Sequence, residues 1–241
     1  MGSIFKFKQF KIDQSGCAMK INTDGVLLGA IAGFSVEINF EAADKRILDI
    51  GTGTGVIALM LAQRFPKSII DAVEIDSTAA QAAAINFKQS PFSDRLKAFL
   101  TDIITFEPEN RYDLVVSNPP YFVNDQKSAE QRKMVARHTD ERFFESLVIK
   151  VKELLNENGQ FWLILPVKQA DLVIEKAMVN EMHLKKEISI HSDETKPVIR
   201  KIICLGKTAS TPEKSNFFIY KERDEYTDAY KILLNGFFLA L

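Results

Sequence analysis

Ser117-Asn118-Pro119-Pro120-Tyr121 directly follows residues 112–116, an apolar run of the kind that fills a buried strand. Two consecutive prolines cannot continue a central strand, because each lacks a backbone donor and fixes its own φ. The backbone therefore leaves the sheet as a stiff turn, with an amide side chain at one end and an aromatic ring at the other. Open α/β sheets bind ligands at the carboxyl ends of their strands, and a rigid turn there presents polar groups without reorganisation. Three carboxylates fall at comparable places upstream. Asp49 precedes Gly51-Thr52-Gly53-Thr54-Gly55, Glu74 closes the next apolar run, and Asp102 lies just past the one after that.

Three glycines in five residues let the backbone turn tightly and approach a ligand closely. Their G-x-G-x-G spacing is not the G-x-G-x-x-G of a dinucleotide site. A carboxylate just before the turn gains nothing beside a pyrophosphate; it suits a ligand that carries an ammonium or needs an acceptor. Glu74 stands about twenty residues after the glycines, where an acid accepts hydrogen bonds from two ribose hydroxyls. Asp102 could take the exocyclic amine of an adenine. Each acid taken singly also reads as a helix cap or loop residue. Their order along successive strand ends argues for one crevice.

The elements that must position these groups follow from periodicity. Strands are expected at 46–50, 68–74, 96–100, 112–116, 160–165, 185–191, 200–207 and 217–220. Helices are expected at 26–32, 56–65, 77–89, 141–156, 168–182 and 227–239, with Asn158-Gly159 as a C-cap signal for the fourth. Strands alternating with helices imply βαβ units around a mainly parallel sheet, and the helix-free succession of the final strands requires at least one antiparallel entry. Residues 5–12 alternate with period two, one face aromatic and the other basic, as in a half-exposed strand or hairpin. Asn22-Thr23-Asp24-Gly25 supplies cap candidates for the first helix. Residues 123–140 are charged with little periodicity and read as a mobile loop or lid beside Asn118.

Composition bounds the rest. At 241 residues, with 46% hydrophobic and 26% charged residues, the chain can bury a substantial core. A formal net charge of -1 gives no general pull toward nucleic acid, although it leaves room for a local basic patch. Cys17 and Cys204 fit a reduced, cytoplasmic protein better than a disulfide scaffold. There is no signal-like apolar start, and no apolar run approaches the roughly 20 residues needed to cross a bilayer, so no membrane partner is expected. His138, His183 and His191 are not spaced as metal ligands, so no metal is expected; His183 and His191 read as strand-edge residues. Phenylalanine is common, at 18 copies, and those near the chain ends are candidates for contact surface.

Asp49-Ile50-Gly51-Thr52-Gly53-Thr54-Gly55, Glu74, Asp102 and Asn118-Pro119-Pro120-Tyr121 together resemble the class I S-adenosyl-L-methionine-dependent methyltransferases, in their amino-methylating branch. Phe7-Lys8-Gln9-Phe10, Cys17-Ala18-Met19-Lys20, Thr23 to Ala30, Gln89-Ser90-Pro91, Ala136-Arg137-His138-Thr139 and Tyr226 to Tyr230 narrow the resemblance. They look like the bacterial tRNA1(Val) adenine-37 N6-methyltransferase family, and the matches span nearly the whole chain. The resemblance implies a Rossmann-like α/β fold with a seven-stranded, mostly parallel sheet whose last strand is antiparallel. It implies a methyltransferase domain over 46–241 and an N-terminal extension over 1–45, a hairpin and a helix, that covers the cofactor. S-adenosyl-L-methionine would then contact Thr23, Asp49, Gly51, Gly53, Gly55, Glu74, Asp102 and Asn118, with Asp49 near its ammonium.

Asn118, Pro119 and Tyr121 would be catalytic. The Asn118 side-chain carbonyl and the Pro119 backbone carbonyl would accept the two N6 hydrogens of an adenine, while Tyr121 stacks on the ring. Transfer would be direct, with no covalent intermediate and no metal. The implied partner is the anticodon stem-loop of a tRNA, held by Tyr121, Arg132, Lys133, Arg137 and His138, with the N-terminal lysines, Lys127 and Arg142 as further basic candidates. The enzyme is expected to be a cytoplasmic monomer. Two rivals share the chemistry: methylation of a glutamine amide in a translation termination factor, and methylation of adenine in DNA.

Overall fold

The computed structural model describes residues 4–17, 20–34, 45–119 and 129–240, with the side chains of 129–140 left aside. The alternating opening forms a hairpin of β1 (Ile4–Lys6) and β2 (Lys11–Asp13). α1 (Thr23–Ile31) begins where Asn22 places its side-chain oxygen to accept the Gly25 N–H at 2.9 Å, a standard N-cap arrangement. β3 (Arg46–Ile50) and α2 (Val56–Arg64) flank the glycine turn. β4 (Ile69–Glu74), α3 (Ser77–Lys88), β5 (Leu96–Leu100) and β6 (Tyr112–Ser117) complete the first half. The second half comprises α4 (Ala129–Leu154), β7 (Leu155–Leu165), α5 (Val167–Val179), β8 (His183–His191), β9 (Val198–Gly206) and β10 (Glu213–Phe218). A small ribbon, β11 (Tyr220–Glu222) and β12 (Glu225–Tyr226), leads to α6 (Asp228–Leu234).

The main sheet runs in the order β10-β8-β9-β7-β6-β3-β4-β5. β9 pairs antiparallel with both β7 and β8, and every other pairing in this sheet is parallel. The Rossmann-like α/β class expected from sequence is therefore the observed one, with β10 added as an eighth strand outside β8. The topological switch point between β6 and β3, where the chain order reverses, is where such sheets place a ligand.

Both faces are covered, which explains why the central strands read as continuous apolar runs. Neighbouring residues divide between the two faces. Ile47, Ile70, Leu114, Val116 and Trp162 pack with α1, α2, α3 and α6, whereas Leu48, Val73, Val115, Phe161 and Leu163 pack with α4 and α5. The aromatic residues at the chain ends join the first layer. Phe7 and Phe10 stack and are buried, and Phe5 and Phe238 pack on Phe7 at tilted angles, so these rings join the core.

The strand expected over 217–220 is divided between β10 and β11, the last helix ends at Leu234 and not at 239, and two further boundaries differ from the sequence reading. The segment expected to be a mobile loop over 123–140 is helical from Ala129 onward, as the first part of α4. Its Ala, Glu, Gln, Arg, Lys and Met residues are strong helix formers. Propensity carries this stretch where an apolar stripe is missing. Residues 120–128, and with them Tyr121 and Lys127, lie outside the described residues. The expected C-cap at Gly159 is also not one, because α4 passes directly into β7 at Leu155. Tyr112 pairs with Leu155 and Leu114 with Gln160, so residues 156–159 form a bulge. A Cβ on Gly159 would stand 2.8 Å from the Tyr112 carbonyl oxygen, so glycine is required there by close backbone approach.

Candidate active site

Register places the singled-out residues side by side. Ile50 of β3 pairs with Ser117 of β6 and with Val73 of β4, and Glu74 pairs with Leu100 of β5. Asn118, Gly51, Glu74 and the Thr101–Asp102 step therefore line the carboxyl edge of four adjacent strands. At about 4.8 Å per strand the row spans roughly 14 Å. Ser117 fixes its end of the row by donating its hydroxyl to the Ile50 carbonyl at 2.9 Å. Pro119 is buried behind it.

The glycine turn has the shape that its residues allow. Gly51, Gly53 and Gly55 hold φ of 68, 57 and 87°, the left-handed region that costs glycine little. A Cβ on Gly55 would lie 2.5 Å from the Phe87 ring, so α2 and α3 close against the turn from behind. At Gly51 and Gly53 nothing lies within 4 Å of that position, which leaves the front of the turn open.

Asp49 sits fully buried beneath the turn. Its Oδ2 accepts the Thr52 hydroxyl at 2.6 Å and the Ala58 N–H at 3.2 Å, while its buried Oδ1 has no hydrogen-bond donor among the described residues. Burial lifts its pKa to about 7, opposed by the hydrogen bonds from Thr52 and Ala58 and assisted by the charge of Glu74. A buried acceptor without a donor is costly unless it is protonated or a donor arrives.

Glu74 is half-buried and pinned by two backbone donors: Gly53 N–H to Oε2 and Asp76 N–H to Oε1, each at 2.9 Å. Ionised carboxylate oxygens have acceptor sites to spare, so Glu74 can still receive two hydroxyls. Asp102 is exposed and accepts the Ile104 N–H at 2.9 Å, capping the 3-10 turn Ile103–Thr105. The cap role is thus real, and exposure leaves the carboxylate accessible beside it. Taken together, an under-donated acid, an open glycine turn and a pinned acid one strand along fit a ligand with an amine at one end and vicinal hydroxyls further on.

α1 approaches from the amino-terminal side. A Cβ on Gly25 would stand 3.7 Å from the Asn118 Nδ2 and 3.6 Å from the Val56 side chain, so the first turn of α1 abuts both. Thr23 opens that turn and is exposed. Arg132, Lys133, Arg137 and His138 lie on α4, and their side chains are outside the description. Among the described residues no His, Cys, Asp and Glu group is arranged to hold a metal, and no helix is long and apolar enough to cross a membrane.

Sequence reasoning missed several contributors. Thr52 orients Asp49. Ile75, 70% exposed directly after Glu74, offers an apolar surface at the mouth. Asn86 is 1% exposed within the Ala-rich α3. Its amide donates to the Thr54 carbonyl at 2.9 Å and the Asp13 carbonyl at 3.0 Å, and accepts the Asp13 N–H at 2.9 Å. It thereby staples the segment after β2 to the glycine turn. Cys17, in that segment, has its thiol pKa pushed up by partial burial and by the charges of Asp76, Asp13 and Glu74, which places it on the Glu74 side. A lone asparagine on an otherwise apolar helix face was the available signal for Asn86.

This sheet order and this edge define a Rossmann-like methyltransferase. The solved structure of a predicted O-methyltransferase from Agrobacterium tumefaciens shares the fold, with a TM-score of 0.67 over 89% of this chain and 96% of that one, at 18% identity. Residues 35–189 match the methyltransferase small domain family. The chain is 55% identical to the tRNA1(Val) (adenine(37)-N6)-methyltransferase of Pedobacter heparinus, covering 100% of both, and 38% identical to that of Vibrio campbellii, covering 98% and 96%. It belongs to the methyltransferase small domain family and, within it, to the tRNA1(Val) (adenine(37)-N6)-methyltransferases. Enzymes of this class use S-adenosyl-L-methionine.

Proposed function

We propose that the chain methylates the exocyclic N6 amine of adenine 37, beside the anticodon, in tRNA1(Val), with S-adenosyl-L-methionine as donor. The observation that carries the chemistry is Asn118 at the end of β6, one strand from the open Gly51 turn. Full-length likeness to the Pedobacter heparinus enzyme supports the choice of substrate.

When bound, the cofactor supplies an electrophilic sulfonium methyl. Asp49 balances the ammonium, Gly51, Gly53 and Gly55 admit the amino-acid end, Glu74 accepts the ribose hydroxyls, and Asp102 and Ile75 frame the adenine. Thr23 closes the site from the side of residues 1–45. An adenine N6 is a poor nucleophile because its lone pair is delocalised into the ring. The Asn118 side-chain carbonyl and the Pro119 carbonyl each accept one N6 hydrogen, which favours a pyramidal amine and exposes the lone pair. Prolines hold these acceptors without reorganisation, so the gain is one of preorganisation. Tyr121 stacks on the base, and Arg132, Lys133, Arg137 and His138 meet the anticodon stem-loop. The reading makes the protein a cytoplasmic monomer that needs no metal.

The test is incubation with labelled cofactor and, in parallel, total tRNA, a termination factor and DNA, then mapping of the labelled residue. N6-methyladenosine at position 37 of tRNA1(Val) is the expected product. Label confined to a termination factor or to DNA would overturn the substrate assignment.

A further inference from the structure

α1 is a smooth helix. Its buried stretch, Gly25 to Ile31, includes two glycines, and a Cβ on Gly29 would lie 2.9 Å from the Met60 sulfur. Packing of this kind fixes a helix sideways but resists sliding along its axis only weakly. Two arginines act at its ends. Arg64, from α2, donates through Nη1 to the Gly29 carbonyl at 2.9 Å and the Ala32 carbonyl at 2.7 Å, closing the carboxyl end. At the amino end, Arg200 donates through Nε to Asp24 at 2.8 Å, a pair whose side chains are 31% and 18% exposed.

The reversed strand makes the second contact possible. Ser117, Leu163 and Ile203 share one rung across β6, β7 and β9. Because β9 runs against its neighbours, Arg200 lies three residues nearer the ligand-binding edge than Ile203 does. Its Nη1 also donates to its own Ile199 carbonyl at 2.8 Å, which stiffens the guanidinium. We infer that Arg200 is a positioning residue: through Asp24 it sets the axial position of α1, and the first turn of α1, at Gly25, sets the orientation of the Asn118 amide. The kinetic part of this inference rests on the methyl-transfer reading above; the positional part does not.

Two measurements test it. In 15N-labelled protein, the Asn118 side-chain amide resonance, assigned by its loss in Asn118→Ala, should move in Arg200→Ala and in Asp24→Asn but stay put in the exposed control Arg223→Ala. On tRNA, Arg200→Ala should lower kcat about tenfold while the KM for tRNA stays within about twofold, since small displacements of an acceptor act on the transition state. Arg200→Lys should recover part of the rate, and the double variant should be no slower than either single one. A stationary Asn118 resonance overturns the inference even if tRNA is not the substrate. A rise confined to the KM for tRNA also overturns it, because Arg200 would then be an RNA contact. An inactive wild type with a moving resonance would instead remove the substrate reading and leave the positioning role standing. If Arg200→Ala does not fold, Arg200→Lys and Asp24→Asn carry the same two readouts.

Discussion

The two edges of the sheet use the same residue types to opposite ends. At the amino edge Asp71 and Asp113 each meet a cation. Asp71 accepts the Arg46 guanidinium at 2.9 Å and the Tyr112 hydroxyl at 2.8 Å. Asp113 takes Lys45 at 3.1 Å, the Arg46 N–H at 3.0 Å and the Asn156 amide at 3.1 Å. The carboxylate beside it, together with burial, pushes the Tyr112 phenol well above its ordinary value. At the carboxyl edge Asp49, Glu74 and Asp102 accept only backbone N–H groups and one hydroxyl, and no cation pairs with them among the described residues. Charge-matched acids tie strands together; at the other edge the acids are held by backbone donors and one hydroxyl. Asp24 lies on the ligand side yet is matched by Arg200, which fits a part in positioning instead of binding.

The sharpest test of the ligand-facing edge is Asn118→Ala. Methyl transfer should fall by about a thousandfold, the scale of losing one preorganised polar group, while calorimetric cofactor affinity changes little. At the opposite edge, Asp71→Ala strands Arg46 and should cost about 3 kcal/mol of stability in denaturant titration, with cofactor affinity unchanged. Loss of binding there would dissolve the distinction between the edges.

Asp49→Asn should behave in the reverse sense, weakening cofactor binding about tenfold, as loss of a close charge partner does. Its stability effect has a definite sign. The folded pKa of about 7 lies above the ordinary value, so the folded state holds the proton more tightly, and wild-type stability falls as pH climbs from about 4 to about 7. Asparagine carries no such penalty, so its melting temperature should gain on wild type over that interval. Scanning calorimetry at pH 5 and pH 7.5 would show the gap; a variant that loses ground as pH rises would refute the buried-acid account. Last, Lys152→Ala removes an ion pair to Glu181, whose side chain is 84% exposed, and should leave the melting temperature unmoved within error.

The sequence exposed the carboxyl edge better than the amino edge. Asp49, the glycines, Glu74 and Asn118 are legible because each sits at a fixed offset from an apolar run, and offset becomes position once the strands pair. The Arg46–Asp71–Tyr112 network has no such offset, since its members stand 25 and 41 residues apart. Asp24 and Arg200 are 176 residues apart and meet only because β9 is reversed. The first turns of α4 went unread for a different reason: they carry helix propensity without a buried stripe, and periodicity detects burial, not helix.

The hairpin at the start carries a consequence for how the enzyme is made. The Lys8 N–H donates to the Phe237 carbonyl at 2.8 Å, the Lys8 ammonium reaches the Asn235 carbonyl 227 residues away, and Phe5 and Phe7 lean on Phe238. The hairpin is completed by residues that leave the ribosome more than two hundred positions after it. Closing so long a loop is entropically slow, and the intervening sheet must stand before the ends can meet. Until then the strap that runs past Asn86 toward the glycine turn has half of its anchorage. A nascent chain can therefore own a finished sheet, with its carboxyl edge assembled, before the hairpin is anchored.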